Sequence, residues 1–182
     1  MTSEEKLKAL VLAPYIIKAT ALIGYARHVG GNQFRHAFAT LGILLDYKYF
    51  ENSVLLKASL VHDLFEDIPS TDKSILKNID SEGEQVTSLV LELTRKEDEL
   101  KATYLKRILE TGSKNAKILK SADRISNLTD INRTIFTDSK ISQYLDETEE
   151  FVVPMAEQVN KNMVIELHDL IRKRRKMVIQ GF

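Results

Sequence analysis

Four polar side chains crowd one short stretch of this chain: His62, Asp63, Glu66 and Asp67, within the run Leu60-Val61-His62-Asp63-Leu64-Phe65-Glu66-Asp67. On a helix advancing about 100° per residue, with His62 at zero, Glu66 falls near ~40°, Asp63 near ~100° and Asp67 near ~140°. One side of the segment therefore carries three carboxylates and an imidazole. A helix built only to fill a core has no use for that set. A divalent cation of intermediate softness does, because imidazole nitrogen and carboxylate oxygen together suit it. The chain has no cysteine, which removes thiolate sites and disulfides. Glu66 and Asp67 also stand at a helix end whose dipole disfavours acids, a local cost that points to functional use.

A second polar face lies in Lys120-Ser121-Ala122-Asp123-Arg124-Ile125-Ser126-Asn127. Lys120, Asp123 and Asn127 stand at i−3, i and i+4 and share one side of a helix, with Ile118, Ala122 and Ile125 opposite. A carboxylate between a cation and an amide suits phosphate oxygens and the polar edges of a nucleotide. A third candidate, His36, follows Arg35 shortly after Gly30-Gly31 and stands off the stripe of Phe34, Phe38, Leu41 and Leu45, which is expected to face the core.

The elements that must position these groups read as helices. Glycine and proline number 7 and 3 in 182 residues, and alternating β-branched runs are nearly absent. Helices are expected from near Ser3, from Pro14 to His28 with Gly30-Gly31 closing it, from Gln33 to Asp46, and through VLLKASLVHDLFED after a cap at Asn52 or Ser53. Ser81-Glu82-Gly83-Glu84 fits a capping box for a helix reaching Leu93. Further helices are expected over Glu97 to Glu110, Lys114 to Leu128, from Ser139 to a break at Pro154, and on to about Lys176. The closing IRKRRK run reads as a solvated helix end, where cations suit the dipole. His28 and His168 read as structural or exposed.

Composition is that of a soluble globular domain, 43% hydrophobic and 29% charged. Twenty-six basic residues balance 26 acidic ones, so no net charge points to nucleic acid or a membrane surface. The opening MTSEEKLKAL lacks the basic segment and apolar run of a secretory signal, and no stretch approaches the ~20 apolar residues needed to span a bilayer. A cytoplasmic protein is expected, with its oligomeric state open, a homo-oligomer included.

The histidine at 36, the His-Asp pair at 62–63 and the aspartate at 123 resemble the HD superfamily of metal-dependent phosphohydrolases. HDLFED followed by Pro69-Ser70-Thr71, together with KSADRISNL, more narrowly resembles the RelA/SpoT-type alarmone hydrolases, above all their small stand-alone members. The family patterns read HDxxED and KxAD[RK]xxN[LM], and the match runs over roughly residues 25–128. The resemblance implies an all-α fold, a single compact multi-helix HD-domain bundle over 1–182. It implies one divalent metal, most often Mn²⁺, on His36, His62, Asp63 and Asp123. It also implies catalytic support from Glu66 and Asp67, nucleotide contact from Asn127, and removal of pyrophosphate from the 3′ position of ppGpp or pppGpp. The family's Arg-Lys-x-Gly-x-Pro-Tyr stretch, part of its guanine pocket, is replaced here by ARHVGGNQFRH. Arg27 and Arg35 are the cations that stretch offers to a substrate.

Mechanistically, such a metal acts as a Lewis acid and acidifies a water. Glu66 or Asp67 then serves as base or proton shuttle, and Lys120, Arg124 or Asn127 offsets charge on phosphate oxygens. Three functions remain open on sequence alone: a (p)ppGpp 3′-pyrophosphohydrolase, an HD hydrolase of another nucleotide, and a non-catalytic nucleotide-binding regulator.

Overall fold

The structure is a computed structural model that describes residues 2–131 and 133–180. Every regular element among them is helical, and their extended pairing is limited to an isolated antiparallel bridge between Ala26 and Asn32. The all-α expectation holds. Among the described residues no single helix is long and apolar enough to cross a membrane. Contacts group the chain into two compact units, Met1–Thr94 and Arg95–Phe182.

In the first unit, α1 (Ser3–Ala9) opens on a capping box: the Thr2 hydroxyl accepts from the Glu5 backbone and the Glu5 carboxylate from that of Thr2. Next, α2 (Ala13–Ala19) carries Pro14 in its first turn and passes into a 3₁₀ turn, Thr20–Gly24. The helix expected to reach His28 stops there. Gly30 and Gly31, at φ +91° and +71°, shape a tight loop instead of closing α2. The Arg27 backbone N–H donates to Gly31, that of Gly30 to Arg27, and that of Gln33 to Tyr25. Only glycine adopts two such angles in succession cheaply. The loop delivers the chain to α3 (Gln33–Asp46), capped by Asn32, whose side chain accepts from the Arg35 N–H.

The buried face of α3 is His36, Ala37, Thr40, Leu41 and Leu44, which corrects the expected stripe. Phe34 and Leu45 are half-buried and Phe38 is 37% exposed. The two phenylalanine rings pack on one another at 5.0 Å, so their spacing reflects a mutual contact on the helix flank. The histidine, not the aromatics, points inward.

Helix α4 (Ser53–Val61) is buried from Leu55 to its end and packs against α2, α3 and α7 (Gly83–Leu93). Asn52 caps it, accepting from Leu55 N. The expected continuous helix breaks at His62-Asp63 and resumes as α5 (Leu64–Asp67), followed by α6 (Ser74–Lys77). One charge lies within the buried run of α4. Lys57, 6% exposed, donates to Asp80 and Glu82, each at 2.7 Å. Tyr15 donates to the same Asp80 and Ser53 to the same Glu82. The expected capping box of Ser81 and Glu84 does not form, because the helix begins at Gly83 with Glu82, not Ser81, at the capping position, and Glu82 makes no side-chain cap. Gly83 is required next to it: a Cβ there would lie 2.4 Å from the Lys77 carbonyl oxygen. Lys57→Ala, which strands two acids beside each other, is expected to lower the unfolding free energy by about 3–5 kcal/mol in urea titration. The joint change Lys57→Met, Asp80→Asn, Glu82→Gln should recover most of it.

In the second unit, α8 (Lys101–Thr111) starts later than expected. Asp98 takes φ +60° in a turn closed by Lys96 and Glu99. Helix α9 (Lys114–Asp130) is capped by Ser113, α10 (Asp138–Glu147) by Thr137. A π turn, Thr148–Val152, leads into α11 (Val153–Glu157). Pro154 falls in the first turn of α11, where its missing N–H costs nothing, so the break precedes it. The last helix is α12 (Lys161–Gln180). Contacts to α8, the π turn, α11 and α12 surround α9. The basic run does more than end a helix. Arg174 donates to the carbonyls of Leu128 and Thr129, satisfying the open C-terminal end of α9, while Arg175 pairs with Asp146 and Glu149.

Candidate metal centre

Within the first unit, α3 and the α4–α5 break bring three candidate ligands together. The rings of His36 and His62, both buried, lie 5.3 Å apart. Asp63 Oδ2 stands 3.8 Å from His36 Nε2 and 3.3 Å from His62 Nε2. The break matters, since it turns Asp63 back against the histidines. His62 Nδ1 lies 2.8 Å from the Ser59 carbonyl oxygen, an acceptor only, so that nitrogen carries the proton. With Nδ1 carrying the proton, Nε2 of the neutral form presents its lone pair to a carboxylate oxygen. Two acceptors facing one another call for a proton or a cation between them. A metal-binding histidine fixed through its other nitrogen by a carbonyl is the usual arrangement, so these donors fit a divalent ion.

Asp67, at the end of α5, is half-buried, and its Oδ2 is buried without a hydrogen-bond partner. Burial, then the charges of Asp63 and Glu66, push its pKa up to about 6, against a smaller opposing pull from His62 and Gln33. Glu66 is exposed. The two acids thus differ in kind: one is a desolvated group titrating near neutrality, the other faces water. Arg35 is exposed and Arg27 half-buried, flanking the glycine loop.

Within the second unit, Asp123 is buried on α9. Its carboxylate accepts from Lys120 Nζ at 2.8 Å and from Asn127 Nδ2 at 2.6 Å. The expected shared face of these three is present, with a use the sequence did not suggest: both neighbours hold Asp123. Burial works against the charge on Lys120, yet Asp123 beside it keeps the ammonium more basic than usual. The Lys120 ammonium also lies over the Tyr104 ring.

Arg124 departs from the sequence reading. It is 2% exposed and donates to Thr148 Oγ1 at 2.7 Å, so its guanidinium serves the protein interior and not a phosphate. Two residues of this neighbourhood carry no motif. Lys101 pairs with Glu147 at 2.6 Å, and its ammonium lies over the Tyr144 ring. Burial is the main cause that makes Lys101 less basic than usual. The only signal for either was a cation and an aromatic on separate helices, which periodicity cannot pair. Ser59 is likewise invisible in sequence, because its backbone carbonyl is what acts.

No family model matches the chain. Its sequence is 27% identical over 151 residues to the mouse (Mus musculus) protein named guanosine-3′,5′-bis(diphosphate) 3′-pyrophosphohydrolase MESH1, spanning 80% of this chain and 82% of that one. Its structure matches a solved metazoan ortholog of SpoT, described as hydrolysing ppGpp, with a TM-score of 0.76 at 22% identity, over 90% of this chain and 94% of the other. The resemblance to RelA/SpoT-type hydrolases, read first from HDLFED and KSADRISNL, is therefore borne out by a relative along four fifths of the sequence and by a shared fold along nine tenths of it.

Proposed function

We propose that this chain is a metal-dependent phosphohydrolase that removes pyrophosphate from the 3′ position of ppGpp or pppGpp. The observation that carries the reading is the pair of buried imidazoles facing one Asp63 oxygen, with the His62 ring held by the Ser59 carbonyl. The mouse relative's named activity supplies the substrate class. The ligand set we assign is His36, His62, Asp63 and Asp123. Mn²⁺ is the metal we assign. We take 1–182 as one functional domain. Balanced charge supports an enzyme acting on a nucleotide, without a nucleic-acid or membrane partner, and we place it in the cytoplasm.

A bound divalent ion supplies Lewis acidity toward a phosphoryl oxygen and toward water. The remaining work belongs to the chain. Lys120 and Asn127 hold the Asp123 carboxylate in one orientation. Asp67, with its pKa near 6, takes a proton from the attacking water as that oxygen bonds to phosphorus. The bond from phosphorus to the ribose 3′ oxygen breaks, the 3′ oxygen regains a proton, and GDP or GTP leaves with pyrophosphate. Glu66, facing water, passes the proton on. Arg27 and Arg35 are assigned to the substrate's remaining charge. Incubating Mn²⁺-loaded protein with ppGpp and separating the products tests the reading. Pyrophosphate and GDP in equal amounts are expected; orthophosphate, or no product, overturns it.

A further inference from the structure

Among the described residues, buried Arg124 is neither paired with an acid nor fully hydrogen-bonded. Its NH1 donates to Thr148 Oγ1 at 2.7 Å and to the Tyr144 carbonyl at 3.3 Å. The Thr148 hydroxyl donates to that same carbonyl at 2.7 Å. The guanidinium lies 4.0 Å from the centre of the Tyr144 ring. Its Nε is buried with no partner.

A side chain chosen only to fill this space would be aliphatic, because a buried charge with an unmatched donor is costly. What arginine adds is direction. Its planar fork meets α10 where that helix gives way to the π turn at Thr148. A π turn shifts the hydrogen-bond register by one residue, and such turns cluster at functional sites. The carbonyl of Tyr144 lies at this junction, and Arg124 and Thr148 both donate to it. The anchor therefore ties α9 to the junction of α10 and the π turn.

Asp123 immediately precedes Arg124 on α9. Neighbouring residues on a helix are separated by about 100°, so pinning the azimuth of Arg124 pins that of Asp123. Lys120 and Asn127 act on Asp123 from within the same helix and cannot set the rotation of α9 as a whole. A contact to another helix can. We propose that Arg124 is a positioning residue: anchored at Thr148 and Tyr144, it sets the rotation of α9 that presents the Asp123 carboxylate. This rests on the proposed metal role of Asp123.

The test compares Arg124→Met, Thr148→Val and Thr148→Ser in the full-length chain, each checked for helix content by circular dichroism. Thr148→Val keeps the shape and removes the nearer acceptor of Arg124. Mn²⁺ affinity is read by calorimetric titration and turnover by ppGpp hydrolysis. Arg124→Met and Thr148→Val are each expected to weaken Mn²⁺ binding by about tenfold. Both should lower kcat with KM within about twofold of wild type, the pattern of lost positioning. The double variant should be no worse than Arg124→Met alone, and Thr148→Ser should behave as wild type. Unchanged Mn²⁺ affinity in folded Arg124→Met and Thr148→Val overturns the proposal. So does a KM rise of tenfold or more in Arg124→Met with Thr148→Val unaffected, which would make Arg124 a substrate contact. Wild-type protein that binds Mn²⁺ but leaves ppGpp intact sinks the hydrolase reading, while the affinity arm still decides the role of Arg124.

Discussion

Asp63→Asn is expected to cut turnover of ppGpp at least a thousandfold, about 4 kcal/mol of lost transition-state stabilisation. The amide keeps the shape of the side chain and removes the charge that faces both imidazoles. It also replaces one oxygen by an NH₂ group, which donates and cannot ligate. The fold should tolerate the change, because Asp63 sits at the α4–α5 break with its side chain 26% exposed. Among the described residues its ion pairs are those with the two histidines. Removing it also lifts one of the charges that raise the pKa of Asp67. Thermal melts of metal-free wild type and variant should therefore agree closely or favour the variant, while calorimetry shows Mn²⁺ binding weakened by more than an order of magnitude. Full turnover in Asp63→Asn would remove the metal centre from the account altogether.

Asp67→Asn should separate activity from stability in opposite directions. Loss of a general base costs about 10²- to 10⁴-fold in kcat. Wild-type kcat should fall on the acid side of pH 6, about tenfold per pH unit, because the base must be ionised; Asp67→Asn should lose that limb. The stability effect has the other sign. In the folded chain the carboxyl holds its proton up to about pH 6, against an ordinary value of 3.8. Between those values the folded state binds more protons than the unfolded state, so stability falls as pH rises through the window, and the deficit persists above it. A shift of about two pH units caps the deficit near 3 kcal/mol, and partial exposure brings it to roughly 1–2 kcal/mol. With metal chelated, Asp67→Asn should be the more stable protein at pH 8 by that amount and no different below pH 4. Equal stability across the range would mean that Asp67 is solvated and unsuited to the role.

The Lys57 network and the Arg124 anchor illustrate one device at two strengths. Both bury a cation in a helix that also carries a candidate ligand: α4 leads into His62, and α9 holds Asp123. Lys57 is matched by two acids and a tyrosine ring, so its removal is a stability experiment. Arg124 is matched by a hydroxyl, a carbonyl and a ring, which restrain direction more than they offset charge. That difference is why Lys57→Ala is expected to register in unfolding and Thr148→Val in metal affinity.

What the sequence determined by itself was local. Helical spacing, the cap at Asn52, the polar crowding of HDLFED and the shared side of Lys120, Asp123 and Asn127 are all legible, because each depends on residues within a turn or two of one another. Even there, His36 and the Phe34/Phe38 stripe were assigned to the wrong sides of α3, since apolar spacing shows that a face exists and not which neighbour it meets. Tertiary structure decided the rest. The break at His62-Asp63, the tautomer set by the Ser59 carbonyl, the capture of Glu82 by Lys57 and the turning of Arg124 toward Thr148 all depend on partners brought near by packing. A side chain's chemistry is written in its type, but its protonation and its direction follow from what desolvates it and what it touches.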